Sequence, residues 1–228
     1  MALQKDNALN DIKTELETLA NLVLEQLDLM EHLLKSGESI VPVDVLKKIE
    51  QNEKKIDKRE VKLSNKIVDT IVLYHPVASD LRRIIASYRI ILNLERISDL
   101  VTDITKFYSK IKDPSAFLRL QDLLLNMTSE SNQMVRKAIL SFINDDKEFA
   151  MWTIKNEVVF DEFNHKLLKK IFAKIDASEY NKHMLMSIIT IKEMMSSIER
   201  IAAHSTNIAE AAIYSIEGKD IRHHKLEE

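Results

Sequence analysis

Only five of the 228 residues are glycine or proline, 2 of the first and 3 of the second, and all five fall at the edges of long periodic segments. Before Gly37, Leu9, Ile12, Leu16, Leu19, Val23, Leu27 and Met30 recur at steps of three and four. That spacing makes one apolar stripe and predicts a helix from Leu3 to about Lys35, ended where Gly37 can take the left-handed cap conformation. After Pro42, Asp44 is the expected N-cap of a second helix reaching about Leu73. Pro76 stops that helix, because it lacks a backbone N–H and disfavours helical geometry at His75. A third helix runs to about Lys110 and ends near Asp113-Pro114. The pattern then restarts, with a fourth helix over about 115–143, a fifth from Asp145 or Asp146 to about Ile175, and a sixth from about Glu179 to Glu217, closed by Gly218. Six long helices on short connections predict an all-α fold of antiparallel bundles.

Composition narrows the function. Hydrophobic residues at 45% and charged residues at 30% suit long amphipathic helices. A net charge of -3 offers nucleic acid no general attraction. The chain has no cysteine, which excludes disulfides, thiolate metal sites and cysteine nucleophiles. The amino terminus lacks the apolar core of a secretory signal. The two most apolar stretches, Ile84–Leu92 and Met184–Ile191, are cut by Arg89 or bounded by Lys192, well short of the roughly 20 residues that cross a bilayer. A soluble, cytoplasmic protein is expected. There is no Gly-x-Ser-x-Gly, no glycine-rich phosphate loop and no His-Glu-x-x-His, so an enzyme is not.

An acidic pattern occurs twice. Glu53 and Asp57 on helix two match Glu157 and Asp161 on helix five, and Glu95-Arg96-Ile97 on helix three matches Glu199-Arg200-Ile201 on helix six. Each pair, together with Ile104 and Ile208, is separated by the same 104 positions. A shared offset across two helix pairs without insertion indicates an internal duplication. The expected organisation is therefore one three-helix unit over residues 1–112 and a second over 113–228.

Residues four apart on a helix share a face, so Glu53 sits with Asp57, and Glu95, Asp99 and Asp103 follow one another along helix three. Glu95 and Asp99 continue the line of Leu81, Ile84, Tyr88 and Ile91, while Ile90, Leu94, Ile97, Val101 and Ile104 occupy the other side. This predicts a helix packed on both sides, with its carboxylates in a contact stripe. If helix two lies alongside, Glu53, Asp57, Glu95, Asp99 and Asp103 converge, and clustered carboxylates call for cations with a taste for oxygen. The bland alternative is an ordinary solvated acidic face. In the second unit Asp99 becomes Ala203 and Asp103 becomes Asn207. That leaves Glu157, Asp161 and Glu199, with Asn207 as a neutral oxygen donor.

Residues Pro76-Val-Ala-Ser-Asp80-Leu81-Arg82, Leu94-Glu-Arg-Ile-Ser-Asp99 and Ile198-Glu-Arg-Ile-Ala-Ala-His204-Ser-Thr-Asn207-Ile-Ala-Glu210, and the ending Tyr214 to His223, resemble the PhoU family of phosphate transport system regulatory proteins. The resemblance spans essentially the whole chain. It implies two three-helix bundles related by pseudo-twofold symmetry. It also implies a negative regulator of phosphate uptake and phosphate-starvation signalling, placed between an ABC phosphate transporter and a sensor histidine kinase and reaching the membrane only through such partners. A homodimer is the expected assembly. Family members hold metal ions, iron or zinc among them, through Glu/Asp-x-x-x-Asp motifs. By position the ligands here are Glu53, Asp57, Glu95, Asp99 and Asp103, then Glu157, Asp161, Glu199 and Asn207. Where Ala203 stands the family usually has Asp, which weakens the second set, and Asp103 replaces a usual Asn.

Two other readings stand beside this one. The first is a structural helical adaptor with solvated carboxylates. The second is a carboxylate-bridged metalloenzyme built on Glu162-x-x-His165, although the matching positions Lys58 and Val61 supply no second such motif. Arg96 and Arg200 are expected to point away from the neighbouring glutamates, His204 to pack at a bundle edge, and His223 and His224 to lie in a polar tail. Trp152, Met184, Met186, Met194 and Met195 are expected in the core.

Overall fold

The computed structural model describes residues 2–37, 41–172 and 181–222. Among them are six α-helices: α1 Ala2–Ser36, α2 Val43–Tyr74, α3 Ala78–Tyr108, α4 Pro114–Ile143, α5 Lys147–Phe172 and α6 Lys182–Glu217. Several breaks work as expected. His75 takes the left-handed conformation (φ 46°), and its N–H donates to the Ile71 carbonyl. Gly218 (φ 71°) closes α6 in the same way onto Tyr214. Pro114 opens α4 at a position where a missing N–H costs nothing, and Asp113 caps it by accepting from Ser115 N at 2.9 Å.

Two starts differ from expectation. Asp44 lies inside the first turn of α2 and Pro42 occupies the cap, without a side-chain bond. Asp44 still favours that end through the helix dipole. Helix α6 begins at Lys182, capped by Asn181, which accepts from Met184 N at 2.9 Å. The expected α5 end at Ile175 and α6 start at Glu179 fall outside the described residues, as do His223 and His224.

Helices α1, α2 and α3 pack on one another as one bundle, and α4, α5 and α6 as a second. The bundles join through α3 against α6 and α1 against α4, each pair linking equivalent helices of the duplicated unit. That is the expected pseudo-twofold arrangement. It yields two layers: α2, α3, α6 and α5 side by side, backed by α1 and α4. Ile12, Leu16, Leu19, Val23, Leu27 and Met30 of α1 are all buried, so the stripe seen in the sequence is the core face. Inside the first bundle Gln26 is fully buried. It accepts from Ser98 at 2.7 Å and donates toward Thr102 and the Ile49 carbonyl, both at 3.4 Å. No described helix is long and apolar enough to cross a membrane.

Of the residues expected in the core, Met184, Met194 and Met195 are buried, but Met186 is more than half exposed. Trp152 is only partly buried and lies beneath the Lys137 ammonium, 3.7 Å from the ring centre.

Candidate metal centre

Helix α3 is packed on one side and open on the other. Ile84, Ile90, Ile91, Leu94, Ile97, Val101 and Ile104 are buried, whereas Leu81 and Tyr88 reach solvent. Of the line expected to lead to Glu95, Ile84 and Ile91 are buried and Leu81 and Tyr88 are not, so the carboxylates run along the rim of the packed face and not within a fully packed second stripe. Glu95 and Asp99 are partly buried there, and α2 brings Asp57 beside them. Ligand oxygens of Asp57, Glu95 and Asp99 lie within 4.8 Å of one another.

Burial first, then the Asp99 charge, pushes the Glu95 and Asp57 carboxyls above their ordinary range; Arg96 beside Glu95 pulls the other way. Glu53 is one turn back on α2. Burial raises it as well, with Lys106 opposing and Asp57 and Asp99 adding to the rise. Each of these groups resists holding its negative charge, and a cation among them relieves that resistance. Asp103 is turned aside to pair with Lys106 at 3.7 Å. Arg96 does not point away: its guanidinium lies 3.4 Å from Glu95 and 3.2 Å from Asp99. Glu60, which the acidic spacing did not single out, adds its charge next to Asp57 and Glu95. Its place one turn beyond Asp57 is the signal that would have found it.

In the second bundle Glu157, Asp161 and Glu199 are all raised by burial, Glu199 further by Asp161, and Glu157 further by Asp161 and Glu210 against the Thr206 hydroxyl. Among the described residues their oxygens do not form a group as tight as the first. Asp161 and Glu199 line an open depression of about 560 Å³ together with Glu162, His165, Arg200 and Ala203. The Glu162-x-x-His165 pair, set aside on sequence grounds, therefore faces the same hollow.

Asn207 serves elsewhere. Asn93 on α3 donates its amide to the Arg89 carbonyl at 2.8 Å, which leaves its Oδ1 as the acceptor. Asn207 donates to that oxygen at 3.2 Å, and His204 Nδ1 lies 2.8 Å from it. His204 Nδ1 must then carry the proton. Burial and the Arg200 and Arg96 charges hold this imidazole below its ordinary pKa, hence neutral.

The first trio fits a metal in donor chemistry: three oxygens, from two helices, that gain by neutralisation. The second set has lost one donor to Ala203 and turned another toward the seam between α3 and α6.

The PhoU domain model matches residues 16–107 and again 124–212, once in each bundle. Similar proteins include a phosphate-specific transport system accessory protein PhoU homolog of Aquifex aeolicus, 28% identical over 96% of this chain and 96% of its own length. Another, from a Burkholderia species and of the same description, is 26% identical over 88% of this chain and 82% of its own. The crystal structure of PhoU from Pseudomonas aeruginosa superposes with a TM-score of 0.81 at 22% identity, covering 94% of this chain and 99% of that one. The chain belongs to the PhoU family.

Proposed function

We propose that this protein is a metal-binding regulator of phosphate uptake, working in the cytoplasm as an accessory of a phosphate transporter. The observation that carries the metal part is the convergence of Asp57, Glu95 and Asp99 from two helices to within 4.8 Å. A divalent cation there ties α2 to α3 and neutralises carboxyls that burial keeps uneasy. Iron and zinc are both acceptable to such donors, since oxygen sites select by geometry and availability more than by affinity. Glu53 and Asp103 are the reserve ligands of this site. Glu157, Asp161, Glu199 and Asn207 form a weaker counterpart.

Family membership and the relatives' description as accessory proteins of phosphate-specific transport support the regulatory part. Under this reading the protein restrains uptake and starvation signalling by contacting an ABC transporter and a sensor histidine kinase, as a homodimer and without chemistry of its own. Elemental analysis of protein purified without chelators tests the metal. Stoichiometric metal that falls after Glu95→Ala plus Asp99→Ala is the expected result; metal-free wild-type protein of undiminished stability overturns it. Pull-down of transporter and kinase components at high and low phosphate tests the partners, and light scattering after gel filtration tests the dimer.

A further inference from the structure

The surface that holds the carboxylates also holds apolar side chains that remain exposed among the described residues. On α2, Val61, Val68 and Val72 follow Asp57 along one line and are 57, 54 and 61% exposed. On α3, Leu81, Tyr88 and Leu92 form a matching line, 36, 38 and 39% exposed, and its next turns are Glu95 and Asp99. The two helices pack together, joined by the short connection at 75–77. Both lines therefore run side by side from that turn and finish together at the acidic trio. From Leu81 to Glu95 the strip is about 21 Å long, roughly four turns at about 1.5 Å per residue. Scattered exposed apolar residues need no explanation, but two adjacent lines of them, broken on α2 only by Ser64 and Asn65 and ending at a cluster of carboxylates, do.

We propose that this strip seats an amphipathic helix of a partner protein, with its apolar face on the valine and leucine lines and a Lys or Arg in its final turn on Asp57, Glu95 and Asp99. The length suits a helix of about four turns anchored at helical spacing, and charge selects the partner. Three carboxylates within 4.8 Å favour a basic end and disfavour an acidic one. They also disfavour an anionic lipid surface, the other ligand that an apolar strip attracts. Among the described residues the second bundle does not repeat this line, although Leu185 and Ile189 are exposed at its α6 start. In the second bundle Lys192 and Ser196 stand where Tyr88 and Leu92 do, and His165 where Val61 does, which breaks the apolar line. The basic end uses the carboxylates of the proposed metal site, so a divalent cation competes with it, and docking is tested in EDTA, apart from the metal reading.

The test uses the full-length protein in EDTA and a fluorescein-labelled synthetic helical peptide, with leucines at steps of three and four and a Lys-Arg-Lys final turn. Two companion peptides carry a Glu-Glu-Glu final turn or a scrambled leucine order. Fluorescence anisotropy should show saturable binding of the basic peptide, at least tenfold tighter than either companion. The double variant Val68→Ser, Leu92→Ser should weaken it at least tenfold with unchanged thermal melting, because both residues are exposed. Val158→Ser with Val159→Ser, exposed on α5, should leave it unchanged. Absence of saturable binding, equal affinity for the basic and acidic peptides, or an unaffected Val68→Ser, Leu92→Ser variant overturns the proposal. So does sedimentation with phosphatidylglycerol-containing vesicles that the same variant abolishes, which assigns the strip to membrane.

Discussion

Replacing Asp57 and Asp99 together by Asn separates the repulsion within the trio from its capacity to bind a cation. Ligand oxygens of the three carboxylates lie within 4.8 Å. At that distance two unit charges repel by about 3.5 kcal/mol in a medium of effective dielectric about 20, and by about 0.9 kcal/mol in water. The Asp99 side chain is 37% exposed and Asp57 is exposed, so the water-like figure applies. Three pairwise repulsions vanish in the double variant. Against this stands the lost ion pair of Asp99 with the exposed Arg96, about 0.5 kcal/mol. The variant should therefore be more stable than wild type in EDTA by about 2 kcal/mol, a rise in Tm of about 4–8 °C for a chain of this size. A divalent cation at a hundred times its Kd stabilises wild type by about 2.7 kcal/mol and the variant hardly at all. The order of stabilities thus inverts between chelator and metal. Circular dichroism melts with EDTA, then with manganese, iron(II) or zinc, measure both halves. A variant that melts below wild type in EDTA, or that gains as much from metal as wild type does, refutes the reasoning.

Three further outcomes follow from the same structure. Gln26→Ala should cost about 2–4 kcal/mol in urea denaturation, because it opens a cavity and strips the buried Ser98 and Thr102 hydroxyls of a partner; a loss under about 1 kcal/mol would show that this trio contributes little. Gly218→Ala should cost about 1–2 kcal/mol, since φ is 71° and an added Cβ would stand 3.2 Å from Arg82 Nε; full stability would mean that the cap relaxes freely. In chelator, the raised carboxyls Glu53, Asp57 and Glu95 make the folded state bind protons more tightly than the unfolded chain. Their contribution to stability then falls as pH rises through the interval between the ordinary and raised values. Stability measured across the range from about pH 3.5 to pH 7 should accordingly show the Asp57→Asn, Asp99→Asn variant gaining on wild type as pH rises above the ordinary carboxyl values; a constant gap across that whole range contradicts the assignment.

Much of the fold is visible in the sequence because breakers and periodicity agree. Gly37, Pro76, Pro114 and Gly218 each fall within a few residues of a helix end, and the α1 stripe is the buried face. The register of the duplication also locates Asp57 and Glu95, and the four-residue step along the third helix adds Asp99. What escaped is what depends on a neighbouring helix. Periodicity places Leu81 and Tyr88 in line with Glu95 but cannot say that no helix covers them. Arg96 was expected about 100° away from Glu95, yet a long, flexible side chain can bend back onto a local concentration of negative charge. The turn of Asn207 toward Asn93 needs the packing of α3 on α6, which no spacing within one helix reveals.

That packing explains why the two copies of one unit do not carry equal sites. The seam between α3 and α6 is where the pseudo-twofold halves meet, so a contact between two positions on it has a counterpart in which the equivalent positions exchange halves. Identical halves would make each such contact twice. The seam instead uses Asn93 from one half against His204 and Asn207 from the other, whose counterparts are Ser197, Leu100 and Asp103. An Asp at position 207 would set its carboxylate against the Asn93 oxygen, two acceptors without a proton between them; Asn supplies the missing donor. At the equivalent position in the first half, Asp103 has Ser197 as the counterpart of Asn93 and pairs instead with Lys106 at 3.7 Å. The neutral donor at 207 fits the interface between the halves, and Ala203 leaves the second hollow without the carboxylate that Asp99 supplies in the first. An Asn207→Asp, Ala203→Asp variant should therefore gain cation affinity in the second bundle while loosening the seam. Isothermal titration against a divalent metal and urea denaturation in EDTA would report the two effects separately, and a gain in both at once would show that the seam does not set the identity of residue 207.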